Sequence, residues 1–168
     1  MKPAGYFLKD YVSNLHSPTG IEIGCETGRT TKFLLDCNKN LKLYTIDPFV
    51  YNFNWSGVEC NIMEGLLLKT KELLEPYGER VQLIRKTSDE AHSEFENESI
   101  DFVFIDGNHL FYQVKRDLDN YYSKVKPNGL FCGHDYDMED VKKAVDSFSL
   151  YVDKKVISDQ PNVWYWHK

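Results

Sequence analysis

Two short segments of this 168-residue chain gather acids, an amide and imidazoles: Asp106-Gly107-Asn108-His109 and His134-Asp135. An imidazole has an unperturbed pKa of roughly 6.5, so His109 suits removal of a proton from a hydroxyl near neutral pH. Asp106 and Asp135 are hard oxygen donors that can share one cation, with His134 or a water completing the shell. A histidine ligand tilts such a site toward Mn2+, Fe2+ or Zn2+ and away from Mg2+. Each residue also has a structural alternative. Asp106 can cap a helix, His109 can be an ordinary first-turn residue, and His134 with Asp135 can form a backbone-bonded turn.

A third segment, Ile21-Glu22-Ile23-Gly24-Cys25-Glu26-Thr27-Gly28-Arg29-Thr30, joins an apolar strand to a helix. Gly24 and Gly28 allow a sharp turn and close approach of a ligand. A dinucleotide site here normally reads Gly-x-Gly-x-x-Gly and rests its pyrophosphate on the helix N-terminus. This turn instead carries Glu22 and Glu26. Their charge repels a pyrophosphate but attracts a ligand bearing an ammonium and a sulfonium, which favours S-adenosylmethionine over NAD.

On these residues the chain resembles the class I S-adenosylmethionine-dependent methyltransferases, whose first motif is acid-x-Gly-x-x-x-Gly, here Glu22, Gly24 and Gly28 with Cys25 inside the turn. The resemblance implies that Asp47, after the second strand, meets the cofactor ribose. It implies that Thr87-Ser88-Asp89, after the third, lies at the adenine, making Ser88 and Asp89 cofactor residues. The Asp-Gly-x-His segment is similar to that of the small-molecule and sugar O-methyltransferase branch. In metal-dependent members the Asp after strand four, here Asp106, and acidic or amide residues after strand five bind Mg2+. A basic residue three positions after that Asp, here His109, is the general base. His134 departs from the pattern, since relatives often carry Asp or Glu there. The implied cofactors are S-adenosylmethionine and, optionally, Mg2+ or Mn2+, with Asp106, His134 and Asp135 as the metal ligands.

Elements able to hold these groups can be read from the apolar spacing. Strands are expected at 21–23, 41–46, 81–84, 100–105 and 130–132, and helices at 5–15, 30–37, 62–77, from Phe111 to Tyr121 or Tyr122, and at 141–148. Ile62, Leu66, Leu73, Leu74 and Tyr77 mark one helical face. Residues 151–157 and 163–166 read as a terminal hairpin around Asp159-Gln160-Pro161-Asn162. Strand and helix alternation implies an α/β, Rossmann-like three-layer sandwich. Five strands and the two of the hairpin make an expected sheet of seven, mostly parallel and ending in an antiparallel C-terminal hairpin, which the family resemblance also implies. Aromatic residues from Phe49 to Trp55 suggest a lid, an acceptor platform or a covered edge.

Composition sets outer limits. The length suits one domain, 1–168. A net charge of −6 argues against duplex nucleic acid as a partner, which needs clustered Lys and Arg. No apolar run approaches the ~20 residues of a membrane span, no signal-peptide pattern opens the chain, and the four cysteines have no Cys-x-x-Cys pair. The expectation is a cytoplasmic enzyme that O-methylates a small molecule or sugar. The brevity of the chain implies an open pocket, one completed by a second copy in a homo-oligomer, or a large acceptor. Methylation of protein or RNA, a non-catalytic nucleotide-binding domain and an NAD-dependent oxidoreductase are the alternatives.

Overall fold

Among the described residues six strands carry the sheet: β1 (Thr19–Ile23), β2 (Lys42–Ile46), β3 (Val81–Ile84), β4 (Ile100–Ile105), β5 (Val125–Gly133) and β6 (Trp164–His167). The computed structural model describes residues 2–50 and 59–168. The order across the sheet is β3-β2-β1-β4-β5-β6, with β6 antiparallel to β5 and every other pairing parallel. Helices α1 (Lys9–Asn14), α2 (Arg29–Cys37), α3 (Glu59–Leu74), α4 (Ser88–Ala91), α5 (Phe111–Tyr121) and α6 (Glu139–Tyr151) fill the connections. A short 3-10 helix, Ala4–Leu8, leads into α1.

The period of two along the strands explains the three layers. Ile21 and Ile23 of β1, Val103 and Ile105 of β4 and Phe131 of β5 point to one face, against Val114 and Leu118 of α5 and Val145 and Phe148 of α6. Phe102, Phe104, Leu130 and Cys132 point to the other, against Leu34 and Leu35 of α2 and Leu8 and Val12 near the N-terminus. Phe102, Phe104 and Phe131 are fully buried, each stabilising the fold by about 1.5–3 kcal/mol relative to an exposed ring.

Among the described residues the expected seven strands are six. Residues 151–157 do not form the first strand of a hairpin: α6 runs on to Tyr151 because Val145, Phe148 and Ser149 keep its inner face buried. Asp153, at φ +52, then turns the chain. What remains of the hairpin is one antiparallel bridge, Ile157 with Tyr165, closed by two 3.0 Å backbone hydrogen bonds. The strand expected at 130–132 instead runs from Val125 through Asn128-Gly129, with a register shift against β4. The aromatic segment at 51–55 and the side chain of Ile62 lie outside the described residues.

Candidate active site

Strand order reverses between β1 and β4, and in open α/β sheets a ligand crevice opens at the carboxyl ends of the strands at such a point. Backbone bonds hold the ends of β4, β1 and β2 together there. The Asp106 N–H donates to the Ile23 carbonyl at 2.8 Å, and the Gly24 N–H donates to the Ile46 carbonyl at 2.9 Å. Gly24 sits at φ +93, and a Cβ on it would lie 2.0 Å from the Asp106 carbonyl oxygen. Only glycine fits that contact. Gly28, at φ +72, stands at the start of α2.

Above this turn is a cavity of about 720 Å³. Gly24, Cys25, Glu26 and Thr27 form one wall, and Asp106, His109 and His134 form another. The turn expected to hold a cofactor and the groups expected to do chemistry therefore share one space.

Asp47 works as a staple. Its Oδ2 accepts from the N–H groups of Cys25 (3.1 Å) and Glu26 (2.8 Å), and its Oδ1 accepts from the Phe49 N–H (2.7 Å). A carboxylate offers about four acceptor positions, so roughly one is left for a ribose hydroxyl. The two turn N–H groups committed to Asp47 are not free for a pyrophosphate. Glu22, expected at the cofactor, lies beneath the turn and off the cavity wall, with no exposure. Its Oε2 accepts from the hydroxyls of Thr31 and, at 2.7 Å, Thr45, while Oε1 has no partner. Burial pushes its carboxyl up to about 7, against the opposing pull of the two threonines. Cys25 is also buried, and burial raises its thiol to about 12, so it serves as packing under the turn.

Ser88 and Asp89 do not line that cavity. Thr87 and Glu90 form a capping box that starts α4. The Ser88 hydroxyl then donates to buried Asp117 of α5 (2.5 Å), and Asp89 pairs with Arg116 (2.5 Å). Burial raises the Asp117 carboxyl to about 6. The turn after β3 is thus tied to α5.

The two imidazole segments converge as expected. His134 Nδ1 lies 3.1 Å from Asp135 Oδ1 and 3.8 Å from Asp106 Oδ1. Donor atoms of Asp106, His134 and Asp135 all fall within 4.8 Å of one another, a spacing one ion can span. His109 Nε2 approaches the other oxygen of Asp135, Oδ2, at 2.7 Å, though without the alignment of a hydrogen bond. Burial, then the Asp135 and Glu22 charges, push the Asp106 carboxyl up to about 8. Asp106 caps no helix: the N-cap of α5 is Leu110.

Some of the site went unread in the sequence. Lys2, Tyr6 and Phe7 close one side of the cavity, and Gln160, Pro161 and Val163 another. Tyr6 and Phe7 were legible only as apolar helix positions. Asp117 carried a signal that could have been used: it is an acid on the inward stripe of Val114, Leu118 and Tyr121, where a charge needs partners.

Comparisons with known proteins give three findings. Residues 21–136 match a family described as a methyltransferase domain. Over 59 residues the chain is 34% identical to the uncharacterized protein y4gI of Sinorhizobium fredii (strain NBRC 101917 / NGR234), a stretch making up 35% of this chain and only 6% of that relative's length. Among solved structures, the O-methyltransferase TomG of Streptomyces achromogenes, involved in tomaymycin synthesis and solved with S-adenosylmethionine, superposes with a TM-score of 0.71. It is 13% identical, over 100% of this chain and 81% of that one. CalS11, a TDP-rhamnose 3'-O-methyltransferase of calicheamicin biosynthesis, gives a TM-score of 0.69 at 16% identity over 96% of this chain and 75% of that one. At such identities the likeness to both structures is one of fold.

Proposed function

The chain belongs to the methyltransferase-domain family, and we propose that it moves the methyl group of S-adenosylmethionine to a hydroxyl oxygen of a small molecule or sugar, with a divalent cation assisting. The observation that carries this reading is the shared cavity: the Gly24-to-Thr27 turn faces Asp106, His109 and His134 across one space. The O-methyltransferase activities of TomG and CalS11 support a hydroxyl acceptor.

The residues fit that cofactor better than a dinucleotide. Glu26 puts negative charge on the cavity wall, which suits an ammonium and a sulfonium. The N–H groups that a pyrophosphate would need are taken by Asp47. When bound, the cofactor supplies a methyl already activated on sulfur, open to in-line displacement by the acceptor oxygen. Positioning and proton removal are left to the chain.

Asp47 holds the turn in place and keeps an acceptor position toward a ribose. Ser88 and Asp89, tied to Asp117 and Arg116 outside that cavity, brace the turn after β3 in this reading. His109 takes the hydroxyl proton as the new C–O bond forms, and the Asp135 carboxylate 2.7 Å away stabilises the resulting imidazolium. Asp106, His134 and Asp135 would hold the cation, which when bound would supply Lewis acidity toward the acceptor hydroxyl.

The test is incubation with methyl-labelled S-adenosylmethionine and a panel of hydroxylated small molecules and sugars. Label is expected in an ether-linked product, with transfer strongly reduced in His109→Ala. Label found only in protein or RNA acceptors would overturn the acceptor class.

A further inference from the structure

We infer that Asp106, His134 and Asp135 select a first-row transition-metal ion of the Mn2+ to Zn2+ series over Mg2+. The inference deepens the proposed function, since the ion would sit at the acceptor end of the same cavity. Its test needs no turnover.

Geometry brings the three donors together. His134 Nδ1 is 3.1 Å from one Asp135 oxygen and 3.8 Å from one Asp106 oxygen. Ligands of a single ion bound at about 2.1 Å stand roughly 3.0–3.4 Å apart in octahedral or tetrahedral arrangements, so a small closing movement would let all three reach one centre. Asp106 and Asp135 face each other with imidazoles as their ion-pair partners. Two carboxylates so placed repel, and a shared divalent ion relieves that repulsion.

The chemistry of the donor set then decides which ion. Mg2+ takes oxygen ligands, demands near-ideal octahedral geometry and gives up water reluctantly. Its affinity for a protein site comes largely from carboxylate charge. Placing His134 where a third acid could stand lowers the donor charge from −3 to −2 and supplies a neutral nitrogen. Imidazole is a borderline donor that Mn2+, Fe2+, Co2+ and Zn2+ accept with rising affinity along the series. The substitution therefore weakens the site for the hard ion and strengthens it for the others. His109 stays outside the set, because its Nε2 addresses Asp135 Oδ2 while His134 addresses Oδ1.

The experiment uses the full chain, stripped with EDTA and titrated calorimetrically with MnCl2, ZnCl2 and MgCl2 in turn. Zn2+ and Mn2+ are expected to bind at least about tenfold more tightly than Mg2+. In His134→Asp, the all-oxygen set, that preference is expected to fall about tenfold. Electron paramagnetic resonance of the Mn2+ complex, on protein labelled with 15N-histidine, is expected to show nitrogen coupling in the wild type and none in the variant. The resonance measurement on the wild type stands even if the variant fails to fold. Equal affinity for Mg2+, an unchanged preference in His134→Asp, absence of nitrogen coupling, or no ion bound at all would each overturn the inference. S-adenosylhomocysteine titration of the EDTA-treated protein separates the two readings. Binding of that ligand alongside a failed metal test removes only this inference, whereas its absence removes the methyltransferase reading itself.

Discussion

His109 Nε2 lies 2.7 Å from Asp135 Oδ2, so the side chain expected to take a proton meets a carboxylate supplied by the next strand end. The contact joins the loop after β4 to the loop after β5. It places a counter-charge beside any imidazolium formed at His109, a residue of the cavity wall.

From that pairing, His109→Ala is expected to lower the methyl-transfer rate by roughly 100- to 10,000-fold, the usual worth of a general base. Affinity for S-adenosylhomocysteine should change little, because the cofactor turn lies on the other wall. Single-turnover rates and a calorimetric titration of the same variant check both halves. A full-rate variant would remove His109 from the reaction.

Gly24 offers a sharper test of the architecture. Alanine there must adopt a left-handed backbone, costing about 1–3 kcal/mol, and its Cβ would meet the Asp106 carbonyl oxygen at 2.0 Å. Gly24→Ala is therefore expected to lower the urea midpoint and to abolish cofactor binding. Gly65, in α3, has nothing within 4 Å of a new Cβ. Gly65→Ala is expected to stabilise by about 0.5–1 kcal/mol through helix propensity. Equal effects at the two glycines would contradict the close approach of β1 and β4 loops.

Glu22 gives the protein a pH dependence of stability. Its carboxyl is raised from 4.5 to about 7 in the folded state, chiefly by burial. The native state therefore holds this proton more tightly than the unfolded chain does. The stabilisation is fully present below about pH 4.5 and is lost as pH rises through about 7, a change of about 3 kcal/mol at most. Glu22→Gln keeps an acceptor for Thr31 and Thr45 and removes the titration. The stability of the wild type relative to Glu22→Gln should fall across that window in urea unfolding at fixed pH steps. Parallel curves would place Glu22 in contact with solvent.

The sequence was most informative where a single physical rule acted alone. The strand at 81–84 and the one at 100–105 were bounded correctly, because short runs that are apolar save for Gln82 and Asp101 lie between turn residues and leave few alternatives. The convergence of Asp106, His109, His134 and Asp135 followed from placing two short segments at the carboxyl ends of adjacent strands. Residues 151–157 misled because their alternation imitates a strand, while the helix before them is extended by contacts with β5 and β6 that no local window contains. Glu22 was read as an acid facing the cofactor, with no local sign of its burial. Its burial depends on Thr45, which arrives from the neighbouring strand 23 residues later. The walls supplied by Lys2, Tyr6 and Gln160 are assembled from the two ends of the chain, and spacing carries no trace of such a meeting.

Asp47 ties the cofactor turn to the end of β2 through the N–H groups of Cys25 and Glu26 and braces its own loop through that of Phe49, each bond to a charged acceptor contributing about 1.5–3 kcal/mol. Asp47→Ala is expected to weaken S-adenosylhomocysteine binding by about 10- to 100-fold through loss of the turn's shape. Asp47→Asn, which keeps one acceptor oxygen, should lose less. Circular dichroism of both variants would separate a local loss of the turn from general unfolding, and equal losses in the two would argue against the staple.

The central claim is the cofactor, and calorimetric titration of the purified chain with S-adenosylhomocysteine and, separately, NAD tests it most directly. The account predicts micromolar binding of S-adenosylhomocysteine, weakened in Asp47→Ala, and no measurable heat with NAD. Binding of NAD in its place, or of neither ligand with and without Mn2+, would contradict it.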